Sequence, residues 1–153
     1  MLTDGRTAGE IAAREGGPDV AVFDRPLLWP TAPGGALAYA VAPQASAAWR
    51  QQAPAWLAAL GFAPVPLADA PGLVVARTIA MLINEAADAV LQGVCTPEGA
   101  DAAMKLGVNY PAGPFEWLAR WSVSGVTQVL EALDAHYRGE RYRISPWLRR
   151  QRA

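Results

Sequence analysis

The stretch Leu73–Leu91, LVVARTIAMLINEAADAVL, decides the fold. Its apolar residues recur at a three-to-four-residue spacing, which predicts one long helix. The positions that define this spacing are Val74, Thr78, Met81, Leu82, Ala86, Ala89 and Val90. A second, narrower stripe is polar and consists of Arg77, Asn84, Glu85 and Asp88, which break the apolar run below the ~18 residues that a membrane span needs. Because so little of this helix is polar, we expect its own domain or a second subunit to cover it.

Composition narrows the class of protein. The chain has 153 residues and is 52% hydrophobic, which is enough for a buried core. A formal net charge of −1 provides no field for a nucleic acid or an anionic membrane, so neither partner is expected. The single cysteine, Cys95, excludes an internal disulfide, and the first ten residues, MLTDGRTAGE, lack the apolar core of a signal peptide. We therefore expect a cytoplasmic location.

The segment ahead of the long helix predicts a small α/β unit. Three short apolar runs bounded by turn residues favour strands, namely VAVF at 20–23, ALAYAV at 36–41 and PVPL at 64–67. A helical segment separates the last two runs, which predicts a right-handed parallel strand-helix-strand unit. The first strand is expected to be buried on both faces and to have parallel neighbours as well.

Two helices are predicted within this unit. The first runs from about Thr7 to Glu15, with Thr3 or Asp4 as its cap and Gly16-Gly17 as its stop. The second runs from Ser46 to Leu60, with a buried stripe of Trp49, Ala53, Trp56, Leu57 and Leu60. Residues 24–35 contain three prolines and two glycines, which indicates an ordered loop anchored by Leu27, Leu28 and Trp29.

From Ala70-Pro71-Gly72 onward the sequence is helical throughout, which places a domain boundary between 1–70 and 71–153. Thr96-Pro97-Glu98 restarts a helix that runs to Leu106 and stops at Gly107. The segment YPAGP at 110–114 is predicted to be a fixed turn, followed by a helix over 115–121. Ser122 or Ser124 then caps a helix over 125–137, whose inner face is Val126, Val129, Leu130, Leu133 and Tyr137.

Three segments together resemble the C-terminal helical domain of 3-hydroxyacyl-CoA dehydrogenases. They are PGLVVARTIAMLINEA at 71–86, TPEGADAAMKLGVNYPAGPFEWL at 96–118 and YRISPWLRR at 142–150, with 107–114 the most specific part. Residues 57–70, LAALGFAPVPLADA, resemble the end of the family's nucleotide-binding domain. The resemblance implies an α+β, mainly α fold: a three-stranded parallel α/β remnant, then an all-helical domain like the C-terminal domain of 6-phosphogluconate dehydrogenase.

The sequence departs from this family at the residues that bind its cofactor and carry out its reaction. The resemblance implies NAD as cofactor, but the sequence has no G-x-G-x-x-G turn to cradle a pyrophosphate. It also implies a histidine base in the nucleotide domain, and residues 1–70 contain no histidine. The family's active-site asparagine falls on Ala76, which has no side-chain hydrogen-bond donor. We therefore expect no catalytic residue, no bound cofactor and no metal in this chain.

The remaining candidates are either substrate-facing or structural. They are Arg77, Asn84, Glu85, Asn109, Tyr110, Pro111, Gly113 and Pro114. We expect Arg77 to make a structural contact, and Asn84 and Glu85 to form a buried polar pair that holds helices in register. An arginine cluster at the C-terminus is interpreted as a solvated tail rather than as a site for coenzyme A phosphates; it consists of Arg138, Arg141, Arg143, Arg149, Arg150 and Arg152. His136 is expected at the surface.

These features predict a non-catalytic domain that dimerises or faces substrate in a dehydrogenase of acyl-CoA β-oxidation or aromatic catabolism. Its partner would be a second copy or a 3-hydroxyacyl-CoA dehydrogenase chain. Two alternatives remain open. One is a stand-alone acyl-CoA-binding module that uses a groove beside the YPAGP turn. The other is an NAD-dependent enzyme whose nucleotide domain another chain supplies.

Overall fold

The computed structural model describes residues 1–26 and 34–152, so the predicted anchors Leu27, Leu28 and Trp29 lie outside the described residues. The elements in chain order are α1 (Ala8–Glu15), β1 (Ala21–Phe23), β2 (Ala36–Val41), α2 (Ala47–Ala59), β3 (Ala63–Pro66), α3 (Val75–Leu91), α4 (Pro97–Val108), α5 (Pro114–Trp121), α6 (Val123–Tyr137), a 3-10 turn (Glu140–Tyr142) and α7 (Pro146–Gln151). The chain divides into two compact units, Met1–Ala76 and Arg77–Ala153. No helix within the described ranges combines the length and the apolarity needed to cross a membrane.

The sheet of the first unit has the strand order β1-β2-β3. Strands β2 and β3 are parallel, with Leu37 opposite Pro64, as predicted. Strand β1 is antiparallel to β2, with Val22 opposite Ala40, so the prediction of an all-parallel sheet is wrong. A parallel pair needs a long crossover, usually a helix, and the sequence of residues 24–35, with three prolines and two glycines, does not favour a helix. In β1 only Val22 is fully buried, which corrects the expectation of a strand covered on both faces.

The core of the first unit lies between α1 and the sheet. Ile11 of α1 packs with Val22 and Ala40 in one cluster of buried residues. On the α2 side the buried cluster is Leu37, Tyr39 and Leu57. Only part of the predicted α2 stripe is covered, because the three-stranded sheet reaches only Ala53 and Leu57. Trp56 and Leu60 are 52% and 71% exposed, which contradicts their predicted burial.

Strand β3 forms one edge of the sheet and carries Pro64 and Pro66. The residues on the outer sides of the two prolines bond inward to β2 and its flank. The N–H of Ala63 donates to the carbonyl of Gly35 at 2.9 Å, and the N–H of Leu67 donates to the carbonyl of Tyr39 at 2.8 Å. The two prolines alternate with these residues and fall on the outward side, where a strand would otherwise present free N–H groups.

The predicted long helix is confirmed as α3, but the face that it buries is not the predicted apolar face. Its buried apolar residues are Ala76, Ile79, Ala80, Ile83 and Ala87. The predicted apolar positions are half-buried or exposed, and Val74 is 54% exposed. Both faces of the helix are apolar, so the spacing alone could not identify the covered one. Three of these five residues are alanines, whose small side chains let neighbouring elements approach closely.

The helices after α3 follow their local signals. Thr96 caps α4 through a hydrogen bond from Gly99, as predicted, and α4 continues to Val108 because Asn109, at φ 56°, ends it. Ser122 caps α6 through Gly125, and the predicted inner face is buried except for Tyr137, which is 45% exposed. The cap of α1 is Thr7, in a capping box with Glu10, and not Thr3 or Asp4.

Candidate functional site

A buried carboxylate closes the N-terminus of α3. Asp24, which is 1% exposed, accepts hydrogen bonds from the N–H groups of Val74 at 2.9 Å, Val75 at 2.7 Å and Ala76 at 2.8 Å. A negative charge at this end is favourable because the helix dipole is positive there. Ala76, to which the resemblance assigns the family's asparagine, is 0% exposed. Its side chain is a buried methyl group, and its backbone N–H is already bonded to Asp24. Asp24 was not among the predicted residues, because a cap 50 residues away in sequence leaves no local signal.

The two other helices that begin in the first unit carry the same kind of cap. Asp69 accepts from the N–H groups of Ala8 and Gly9 of α1 at 2.7 and 2.8 Å. Asp19 accepts from the N–H of Ser46, the cap residue of α2, at 2.7 Å. Dinucleotides place their pyrophosphate at a helix N-terminus, where free N–H groups and the dipole attract it. At α1 and α3 a carboxylate takes N–H groups at this end, and at α2 it bonds the N–H of the cap residue, so that each carboxylate repels a second anion.

In the second unit the polar stripe of α3 holds the C-terminal segment. Asn84, 3% exposed, donates from its Nδ2 to the carbonyl of Arg143 at 2.9 Å and accepts from the N–H of Ser145 at 2.8 Å. Asp88 forms a 2.6 Å ion pair with the guanidinium of Arg143. These contacts are structural, as expected for Asn84. Glu85 is exposed, so the predicted buried pair of Asn84 and Glu85 is wrong: adjacent helical residues point about 100° apart.

Arg77 contacts the last turn of α6. Its Nη2 donates to the phenolic oxygen of Tyr137 at 2.9 Å, and its guanidinium carbon lies 5.1 Å from the centre of that ring. This cation–π geometry agrees with the expectation of a structural contact. His136 is exposed beside it, with its ring centre 4.8 Å from that of Tyr137.

The YPAGP turn is fixed by an aspartate of α4. The N–H of Phe115 donates to Asp101 Oδ1 at 2.8 Å. A Cβ atom added at Gly113 would come within 2.3 Å of the Asp101 carboxylate, so only glycine allows this approach. Gly113 and Pro114 are buried and Pro111 is exposed, while the ring of Tyr110 packs at 5.8 Å from that of Trp117.

Glu116 completes the connection between α4 and α5. It accepts from the N–H of Gly113 at 3.0 Å and forms an ion pair with Lys105. The hydrogen bond from Lys105, followed by that from Gly113, lowers the pKa of the Glu116 carboxyl. We call Asp101, Lys105, Gly113 and Glu116 the α4–α5 clamp. All four lie within the segment 96–118 that resembles the family, but their spacing does not reveal that Asp101, Lys105 and Glu116 bond across the turn.

Part of the arginine cluster lines a cavity of about 630 Å³ within the second unit. Arg138, Arg143, Arg149 and Arg152 face it, and Arg141 and Arg150 do not. Cys95 is a half-buried free thiol. Across residues 1–26 and 34–152, no three histidine, cysteine or acidic side chains are grouped to hold a metal ion.

Both parts of the chain match known families. Residues 72–152 match the C-terminal domain of 3-hydroxyacyl-CoA dehydrogenase, and residues 1–71 match the reduced Rossmann-fold domain of 3-hydroxybutyryl-CoA dehydrogenase. The chain therefore belongs to the 3-hydroxyacyl-CoA dehydrogenase family, as its motifs indicated.

Individual relatives agree with this assignment. The chain is 47% identical over 85 residues to the 3-hydroxyadipyl-CoA dehydrogenase of Escherichia coli K12, covering 56% of this chain and 18% of that protein. It is 36% identical over 91 residues to a probable 3-hydroxybutyryl-CoA dehydrogenase of Deinococcus radiodurans, covering 60% of this chain and 33% of that protein. The crystal structure of E. coli 3-hydroxybutyryl-CoA dehydrogenase superposes with a TM-score of 0.89 at 38% identity, over 98% of this chain and 30% of that one. The chain thus spans a third or less of these relatives.

Proposed function

We propose that this chain is a non-catalytic packing domain of a 3-hydroxyacyl-CoA dehydrogenase-type protein, with a role in acyl-CoA β-oxidation or aromatic catabolism in the cytoplasm. The observation that carries the proposal is the closed N-terminus of α3, where Asp24 bonds the N–H of the buried Ala76. A developing oxyanion needs a free, oriented donor, and this position supplies none. The chain would contribute surfaces to an assembly and leave proton transfer to another domain.

The carboxylates at the helix starts also support the proposal that this chain binds no NAD itself. Asp19, Asp24 and Asp69 bond backbone groups at the start of α2, α3 and α1. At any of these three helices a pyrophosphate would meet a carboxylate that repels it, in place of the attraction that normally binds it at a helix start.

The exposed face of α3 supports a partner that is a second copy or a 3-hydroxyacyl-CoA dehydrogenase chain. Val74 and Thr78 are exposed on it, and Met81 and Ala89 are half-buried. Apolar patches of this kind are typical of interfaces when they are larger than those of ordinary monomers. We propose that the partner covers this face.

Light scattering tests the assembly. Thr78→Glu places a charge in the middle of the exposed face, and we expect it to convert the wild-type dimer into a monomer at micromolar concentration. Gln128→Glu adds the same charge at an exposed position of α6 and should leave the dimer intact. A monomeric wild type, alone and with a 3-hydroxyacyl-CoA dehydrogenase chain, would contradict the proposed packing role.

Absorbance of NADH tests the absence of catalysis. With acetoacetyl-CoA and NADH, the purified chain is expected to show no oxidation, and calorimetry with NADH should show no saturable heat. Reduction of the thioester by this chain alone would overturn the proposal. Activity that arises only when this chain is mixed with a dehydrogenase chain would instead favour an enzyme completed in trans.

A further inference from the structure

The cavity of about 630 Å³ in the second unit lies between the C-terminal half of α6, the 3-10 turn and α7. Its volume falls in the range of small-molecule sites, which is about 300–1,000 Å³. Tyr142 and Ile144 contribute an apolar part of the lining and are 4% and 7% exposed. The remaining walls are charged, so the cavity combines an apolar surface with converging polar groups.

Two of the four arginines that line this cavity are already neutralised. Arg143 pairs with Asp88, and Arg152 pairs with Glu131. Within residues 1–26 and 34–152, Arg138 and Arg149 form no ion pair. These two guanidinium groups are therefore not engaged by a carboxylate within the described residues, and their planar donors match the oxygens of a phosphate.

The backbone at Arg138 adds a second observation. This residue ends α6 in the left-handed region at φ 50°, although the next residue is a glycine that would adopt such a conformation without strain. Strained conformations of non-glycine residues cluster at functional sites. The residue with this conformation is one of the arginines that line the cavity.

The carboxylates of the cavity limit the class of ligand. Asp134 and Glu140 also line it, and within the described residues neither forms an ion pair. They oppose a bare anion, but they accept hydrogen bonds from hydroxyl groups. The two sets of groups therefore complement a ligand that carries a phosphate together with several hydroxyls.

We propose that this cavity binds the phosphate ester of a small hydroxylated molecule, with the phosphate on Arg138 and Arg149 and the hydroxyls on Asp134 and Glu140. This site goes beyond the packing role proposed above, and either proposal can fail alone. Two kinds of ligand carry these groups, a free sugar phosphate and a nucleotide, and both present the same sugar phosphate to the cavity.

Calorimetric titration of the full chain tests this site with ribose 5-phosphate, adenosine monophosphate, inorganic phosphate and ribose. We expect saturable binding of ribose 5-phosphate at one site, weaker binding of phosphate and none of ribose. Adenosine monophosphate binding more tightly than ribose 5-phosphate would identify a nucleotide as the source, and equal or weaker binding would identify a free ester. No saturable binding of either ester would overturn the proposal.

Matched arginine variants separate the site from general charge. Arg138→Gln and Arg149→Gln should each weaken binding about tenfold, the effect of losing one charge-assisted hydrogen bond. Arg141→Gln and Arg150→Gln remove the same charge outside the cavity and should bind like the wild type. If all four variants bind alike, the cavity is not the site. Arg149→Gln decides the question should Arg138→Gln fail to fold.

Discussion

The two units of the chain hold their helices in different ways. In Met1–Ala76, carboxylates from distant parts of the sequence bond the starts of α1 and α3, as Asp69 and Asp24 do over about sixty and fifty residues. In Arg77–Ala153, the caps of α4 and α6 are Thr96 and Ser122, which lie next to the helices they cap. The first unit thus adds carboxylates from distant residues to its local caps Thr7 and Ser46, whereas α4 and α6 of the helical unit begin at local caps.

The largest effect is expected from Asp24→Ala. It leaves the N–H groups of Val74, Val75 and Ala76 without their buried acceptor, and it should lower the free energy of unfolding by about 3 kcal/mol. Urea denaturation followed by circular dichroism measures this change. Asp19→Ala removes an exposed cap carboxylate and should cost about 1 kcal/mol. Equal losses in the two variants would refute the difference between buried and exposed caps.

Gly113→Ala should have the next largest effect, because its Cβ would lie 2.3 Å from the Asp101 carboxylate in the α4–α5 clamp. Overpacking of this kind should lower stability by about 2 kcal/mol. Gly107→Ala, where nothing lies within 4 Å of the added Cβ, should stabilise α4 by up to about 1 kcal/mol.

The double variant Asp101→Ala with Gly113→Ala sharpens the test. Removing the carboxylate relieves the clash, so the double variant should lose less stability than the sum of the two single variants. Additive losses would mean that Gly113 is needed for another reason. Thermal unfolding of the four proteins completes the cycle.

The smallest effect concerns pH. The pKa of Glu116 lies below its ordinary value of 4.5, chiefly because of the hydrogen bond from Lys105. Because the pKa of Glu116 is lowered in the folded state, the charged carboxylate stabilises the protein at pH values above 4.5. This stabilisation is lost as the pH falls through the lowered pKa. The difference in melting temperature between the wild type and Glu116→Gln should therefore be small near neutral pH and should vanish in acid. Glu85→Gln, an exposed carboxylate of α3, provides the matched control. A constant difference across this pH range would contradict the assignment.

Local signals explain what the sequence could predict. The Thr96-Pro97-Glu98 start of α4, the YPAGP turn and the inner face of α6 are encoded within a few residues. The structure has them at the predicted places, except that Tyr137 of the inner face is exposed. The parallel pairing of β2 with β3 followed from the helix between them. The motifs that indicated the family also lie in these segments, and the family comparison confirms them.

The failures share a non-local cause. The antiparallel pairing of β1 and the cap formed by Asp24 depend on contacts between distant residues. Helix α3 has two apolar faces, and only the fold determines that Ile83 is buried while Val74 is exposed. At the candidate site, Asn84 was predicted to be a structural contact, but its partners Arg143 and Ser145 carried no signal in a periodicity analysis.

The two prolines of β3 have a consequence for self-association. A sheet grows at its margin by recruiting another extended chain through alternating donors and acceptors. Pro64 and Pro66 remove the donors from the outer side of this margin, while Ala63 and Leu67 use theirs toward β2. This margin of the sheet is thereby protected against fibril-like stacking, because an added strand would find no donors at the two proline positions.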